Sequence, residues 1–266
     1  MSELTKRILF AVPAAALFLY TLWWGGSLFE WLMGIIAFGT VWEIHRILTK
    51  SGIPDVLFAS LLIALFIWIT PNLPELWIVS VCVVALLITI WAIIDRKTEI
   101  SQKWLSSIFC GVYAPVGYLM AVHVRSLGDH MEGFWLTLAL FLMIWGNDVF
   151  AYFGGKKFGK RPLAPLISPN KTWEGFWFGF LGAAVGYLIA FLLASPFPIG
   201  INFLIPAAVI VSVAGPVGDL IESRLKRAAE MKDSSNLLPG HGGLFDRFDS
   251  LIFSSPFIFF YFHFLV

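Results

Sequence analysis

Apolar runs of roughly twenty residues recur along the chain, broken by short clusters of Gly, Pro and charged residues, and that length is what a helix needs to cross a bilayer. The pattern predicts nine spans: Ile8 to Trp24, Leu28 to Leu48, Val56 to Thr70, Leu76 to Ile94, Trp104 to Val124, Phe134 to Phe153, Trp173 to Ala194, Phe203 to Ile221 and Leu244 to Phe264. Breakers such as GGS, PNLPE and SPFPIG leave little room between runs, which predicts antiparallel neighbours in one bundle. The runs are continuous rather than alternating, so helices and not a barrel are expected. The expectation is therefore an all-α polytopic membrane protein, with 1–266 as a single transmembrane domain. Lys6 and Arg7 before ILFAVPAAA imitate a secretory signal, but the apolar run continues to Trp23 and Trp24 and reads as an uncleaved first helix.

Composition agrees with this reading. Hydrophobic residues make up 59% of the chain, with 12 Trp, 26 Phe and a mean hydropathy of +0.83, beyond the range of soluble domains. Cys82 and Cys110 both lie in apolar runs and form no disulfide framework or CxxC pair. The net charge of +1 offers no basic domain for nucleic acid, and none is expected as a partner.

Charge then orients the spans. Seventeen of the 18 Lys and Arg fall on one side of the nine-span arrangement and Arg125 alone on the other. By the positive-inside rule the amino terminus is cytoplasmic and the carboxyl terminus outside. In that arrangement Glu43, Asp148, Glu174, Asp219, Glu222, Asp246 and Asp249 all lie toward the cytoplasmic leaflet. Ionisable groups inside a membrane are costly, and a cluster of them implies a water-filled cavity open to the cytoplasm.

The densest charge occurs between Asp219 and Asp249. Asp219, Glu222 and Lys226 stand at i, i+3 and i+7, one face of a helix, and Asp246 and Asp249 share a face of the next. Between them PGHGG offers backbone amides unhindered by side chains, the material of an anion nest. Carboxylates, cations and free amides together suit a metal-bound polyphosphate, with Asp219, Asp246 and Asp249 as the expected ligands of Mg2+. A second cation is left open. The competing explanation is salt bridging to Lys226 and Arg247, and Glu222 could simply pair with Lys226 at i+4.

Upstream, WGNDVFAYFGGKKFGK places Asn147 and Asp148 at the end of a span, before Gly154, Gly155 and Gly159 and the cations Lys156, Lys157, Lys160 and Arg161. SPNKTWEG places Lys171, Thr172 and Glu174 in the opening of a helix, whose free N–H groups favour a phosphate. Gly175, Gly179, Gly182 and Gly186 form a small-residue stripe for close helix approach, within the bundle or across a dimer. Pro206 and Pro216 are expected to kink the eighth span; the role of Glu43 is left open, Arg46 at i+3 being one candidate to satisfy it.

From Ser223 to Asp249, SRLKRAAEMKDSSNLLPGHGGLFDRFD resembles the signature of the phosphatidate cytidylyltransferase (CDP-diacylglycerol synthase) family, and the resemblance extends to Trp145–Lys160 and Ser168–Gly175. It implies transfer of CMP from CTP to phosphatidic acid, with catalytic motifs concentrated in 145–249. It implies Lys226, Asp219, Asp246 and Asp249 as catalytic, and Lys171, Asn147, Asp148, Arg227, Lys232, His241, Gly242, Gly243 and Arg247 as substrate-binding. It further implies Mg2+ dependence, a homodimer, and a bacterial inner membrane location with the site facing the cytoplasm. A CTP-dependent lipid kinase and an ion-coupled transporter are the competing classes; the first would release CDP, and the second would carry polar groups through the whole membrane depth.

Overall fold

The computed structural model describes residues 3–69, 99–194, 196–238 and 240–266. The predicted fourth span, with Cys82, Arg96 and Lys97, lies outside the described residues. The rest is helical: α1 (Glu3–Trp24), α2 (Gly26–Lys50), α3 (Leu57–Ile69), α4 (Glu99–Arg125), α5 (His130–Phe158), α6 (Trp173–Leu193), α7 (Leu204–Ala228) and α8 (Phe245–His263). Among the described residues, five segments are long and apolar enough to cross a membrane: Gly26–Lys50, Gln102–Arg125, His130–Phe158, Trp173–Leu193 and Ile201–Ala228. Leu9–Trp24 and Leu57–Ile69 are shorter apolar helices, and α8 carries Asp246, Arg247 and Asp249 in its first turns. The chain is an all-α membrane protein in architecture.

One small element departs from the helical expectation. Pro162–Ala164 (β1) and Ser168–Thr172 (β2) pair antiparallel, with Pro162 opposite Thr172 and Ala164 opposite Ser168. Pro162, Pro165 and Pro169 recur too closely for a helix to run through them. As a result Lys171 stands on β2, not in the helix, and α6 begins only after Thr172, whose hydroxyl accepts from the Gly175 amide at 3.1 Å as its N-cap. Glu174 turns outward and accepts from the Lys160 and Arg161 amides at 2.9 and 3.2 Å.

Packing of α5 on α6 dominates this region and uses the glycine stripe. A Cβ at Gly182 would collide with the Gly146 carbonyl oxygen, one at Gly186 with the Leu142 carbonyl, and one at Gly179 would lie 2.6 Å from Asn147 Oδ1. The stripe is thus filled within the bundle. Asp129 starts α5 with a capping box, accepting from the Met131 and Glu132 amides at 2.7 and 2.9 Å while its own amide reaches Glu132 Oε2 at 2.7 Å.

One expected feature differs in detail. Pro206 lies in the first turn of α7, where its missing N–H has no partner to lose, and only Pro216 is inside the helix. Arg125, the one basic residue assigned to the far side, is buried with its guanidinium donating to the Leu22, Trp23 and His130 carbonyls at 2.8, 3.1 and 3.0 Å. It caps the carboxyl end of α1 and joins it to α4 and α5. Cys110 is a free, buried cysteine with its thiol 3.2 Å from the Val41 carbonyl.

Candidate active site

Close approach of α7 and α8 creates the site. Gly218 has no side chain where a Cβ would meet the Asp249 carbonyl oxygen and, at 3.0 Å, the Phe253 Cβ. The neighbouring positions therefore face each other: Asp219, Glu222 and Asp249 each offer a carboxylate oxygen, all within 4.8 Å of one another. Ser223 Oγ donates to Asp219 Oδ1 at 3.1 Å, and Lys171 reaches in from β2 to within 2.5 Å of Asp219 Oδ2.

Lys226 stands one turn beyond Glu222. Its ammonium donates to Asp246 Oδ1 at 2.7 Å and lies 2.9 Å from Glu222 Oε1, with side-chain exposures of 15% for Lys226, 4% for Asp246 and 3% for Glu222. Glu222 Oε1 lies at ion-pair distance from the Lys226 ammonium but outside good hydrogen-bond geometry. Asp246 is fully engaged instead: its Oδ2 accepts from the Ser234 amide and hydroxyl and the Gly243 amide at 2.8, 2.9 and 2.8 Å.

These residues line a cavity of about 740 Å³. Asn147 and Asp148 enter it from α5, Lys171 from β2, Asp219, Glu222 and Lys226 from α7, and Asp246, Arg247 and Asp249 from α8, with Tyr152, Leu163 and Phe176 also in the lining. Six carboxylates line it (Asp148, Asp219, Glu222, Asp233, Asp246, Asp249) against four cations (Lys156, Lys171, Lys226, Arg247). Each pair of charged carboxylates within the 4.8 Å limit repels by at least about 3 kcal/mol at an effective dielectric of about 20. The excess of acids, the buried Glu222 oxygen without a hydrogen bond and the all-oxygen donor set fit a hard divalent cation.

A model of the cytidylyltransferase family matches residues 5–265. The chain belongs to that family. Among its relatives in the family is the phosphatidate cytidylyltransferase of Bacillus subtilis (strain 168), 34% identical over 271 residues, covering 98% of both chains. The phosphatidate cytidylyltransferases of Staphylococcus haemolyticus and Staphylococcus epidermidis are 34% and 35% identical over 259 residues, each match covering 94% of this chain and 95% of the relative. The match therefore includes the first hundred residues, where no motif was legible.

The predicted site residues divide into two groups. Asn147, Asp148, Lys171, Asp219, Lys226, Asp246, Arg247 and Asp249 all meet at the cavity. Arg227 and Lys232 are exposed and His241, Gly242 and Gly243 stand away from the cavity lining, the His241 ring lying 5.8 Å from that of Phe10. The glycines instead shape the connection: Gly240 and Gly242 have φ of +74° and +82°, and the Leu238 amide donates to the Gly242 carbonyl at 2.9 Å. The anion their loop holds is the protein's own Asp246. Glu43 is not satisfied by Arg46, which lies over the Trp42 ring at 5.0 Å; it is fully buried against the α7–α8 connection. Spacing on α2 could not reveal that partner, because Ser234 is 191 residues away.

Proposed function

We propose that this protein transfers CMP from CTP to phosphatidate, producing CDP-diacylglycerol and pyrophosphate. The observation that carries the reading is the meeting of Lys171, Lys226 and Arg247 with the Asp219, Glu222 and Asp249 cluster in one cavity of a membrane protein from this family. The relatives' names supply the substrate pair.

In this reaction a phosphate oxygen of phosphatidate attacks the α-phosphorus of CTP; a P–O bond forms there, and the bond to the β-phosphate breaks to release pyrophosphate. Phosphatidate is already anionic at neutral pH, as phosphate monoesters are, so no strong base is needed. The demand is for neutralising two polyanions and a polyanionic leaving group. Lys226, held between Glu222 and Asp246, presents a positioned ammonium at the cavity wall, while Lys171 and Arg247 supply further phosphate donors. Asp219, Glu222 and Asp249 would hold Mg2+, whose chemistry here is to neutralise phosphate charge. Asp246 then orients Lys226 instead of ligating the cation. Tyr152, Leu163 and Phe176 in the lining offer apolar contact for a lipid substrate.

We further infer that the amino terminus and the cavity face the cytoplasm of a bacterial inner membrane, where CTP is available, and that the chain crosses nine times. The seventeen-to-one distribution of Lys and Arg supports this. The decisive assay uses protein purified in detergent with phosphatidate and each nucleoside triphosphate, with pyrophosphate and nucleotide-lipid measured together. Equal yields of pyrophosphate and CDP-diacylglycerol, with CTP preferred, are expected. Release of CDP with a newly phosphorylated lipid would instead identify a lipid kinase.

A further inference from the structure

Glu43 lies on α2, in the half of the chain without motifs, and its carboxylate is fully buried outside the catalytic cavity. It accepts four hydrogen bonds from the connection between α7 and α8: Ser234 Oγ at 3.0 Å, Ser235 Oγ at 2.6 Å, and the Leu244 and Phe245 amides at 2.9 and 2.7 Å. The two amides belong to the N-cap and first residue of α8, donors that no carbonyl within the helix can satisfy. Negative charge at that end also complements the helix dipole. Glu43 therefore ties the middle of the segment that separates Lys226 from Asp246 to its carboxyl end.

Ser234 transmits the constraint. Its hydroxyl is 3.0 Å from Glu43 Oε2 and 2.9 Å from Asp246 Oδ2, so one hydrogen is shared between two carboxylates. The Ser234 and Gly243 amides both donate to the same Asp246 oxygen, each at 2.8 Å, and Asp246 Oδ1 receives Lys226 at 2.7 Å. A Cβ at Gly243 would run into Ser234 Oγ and Glu43 Oε1, so backbone, serine and carboxylate are packed without slack.

We propose that Glu43 is a positioning residue for cytidylyl transfer: through Ser234, Leu244 and Phe245 it fixes where Asp246 stands, and through Asp246 where Lys226 presents its charge. The proposal rests on the activity assigned above. Glutamine would keep the size of the side chain but bring an NH2 group against a site built from four donors, leaving the connection loosely held.

Wild-type protein, Glu43→Gln and Ser235→Ala are purified in detergent, and kcat, KM for CTP and hydrogen exchange of peptides covering 234–248 are measured. In Glu43→Gln, exchange in 234–248 should rise at least about tenfold with α4 peptides unchanged, and kcat should fall at least about tenfold. KM for CTP should stay within about threefold, because the lost alignment acts on transition-state charge more than on binding. Ser235→Ala should move both readouts in the same direction by less. Folded Glu43→Gln with wild-type kcat overturns the proposal, whether or not exchange is faster. Lower kcat with wild-type exchange also overturns it, since the connection would not carry the effect. If Glu43→Gln does not fold, Ser235→Ala decides by the same criteria. Absence of CDP-diacylglycerol from wild type is a separate failure, of the assigned activity, and leaves the exchange result to report on the contact itself.

Discussion

At the scale of single residues, Lys226 is the neutralising partner of two buried acids and, in the proposed reaction, a cation for phosphate. Lys226→Met should abolish turnover, and it should also lower the detergent melting temperature, because stranding one buried partner of an ion pair costs on the order of 3 kcal/mol. An unchanged melting temperature with lost turnover would assign it to substrate alone; wild-type turnover would remove it from the site. The carboxylates should separate by metal dependence. Glu222→Gln and Asp249→Asn should each raise the Mg2+ midpoint and cut turnover about a hundredfold or more, the usual scale for one lost transition-state contact. Asp246→Asn should lower kcat with the Mg2+ midpoint within about twofold of wild type, since its oxygens are taken by Ser234, Gly243 and Lys226. A midpoint shift in Asp246→Asn equal to that in Glu222→Gln would return Asp246 to the ligand set. The i, i+3 spacing made Asp219 and Glu222 legible as one helix face, yet spacing alone could not tell which of Glu222 and Asp246 meets Asp249. That choice follows from how α7 and α8 pack across Gly218.

Among the helices, α5 and α6 are locked by backbone contact. Gly182→Val should place two methyl groups against the Gly146 carbonyl, an overpacking that costs about 1–3 kcal/mol and pushes α5 away from α6. Because α5 carries Asn147 and Asp148 and β2 leads Lys171 into α6, thermal melting and turnover should fall together. Arg125→Met is the contrasting case. It removes three charge-assisted bonds to backbone carbonyls on the side away from the cavity, and should cost at least about 2 kcal/mol in stability while folded protein keeps wild-type kcat. Loss of kcat in folded Arg125→Met would show that the α1 junction reaches the site. The glycine stripe was readable as a close-packing surface, but its partner was not, because a stripe describes only one of two faces.

For the whole molecule, the arrangement of charge makes a directional claim. Single cysteines at Lys157 and Gly200, in a background lacking Cys82 and Cys110, should react with a membrane-impermeant reagent from opposite faces, Lys157 from the cytoplasmic side. Labelling of both from one face would break the nine-span arrangement. Elements α5, β1, β2, α6, α7 and α8 all converge on the cavity, so a misplaced span would part Asn147 and Asp148 from Asp219 and Asp249.

The periodicity of apolar residues and the count of Lys and Arg suffice for the class of protein and its expected orientation, because the bilayer imposes a length and the cell a charge bias that any single span must obey. Local spacing likewise suffices for Asp219, Glu222 and Lys226 to share a helix face, since the helical repeat is a property of the backbone. Tertiary structure alone decided that Glu43 on α2 holds the entry to α8, that Asp246 binds Lys226 and the connection while Glu222 joins Asp219 and Asp249, and that the Gly243 amide of PGHGG serves the protein's own Asp246. Each of those partnerships joins groups far apart in sequence or on different helices. Which buried carboxylate meets which donor is set by the closest approach of packed helices, a distance that no periodicity along one helix contains.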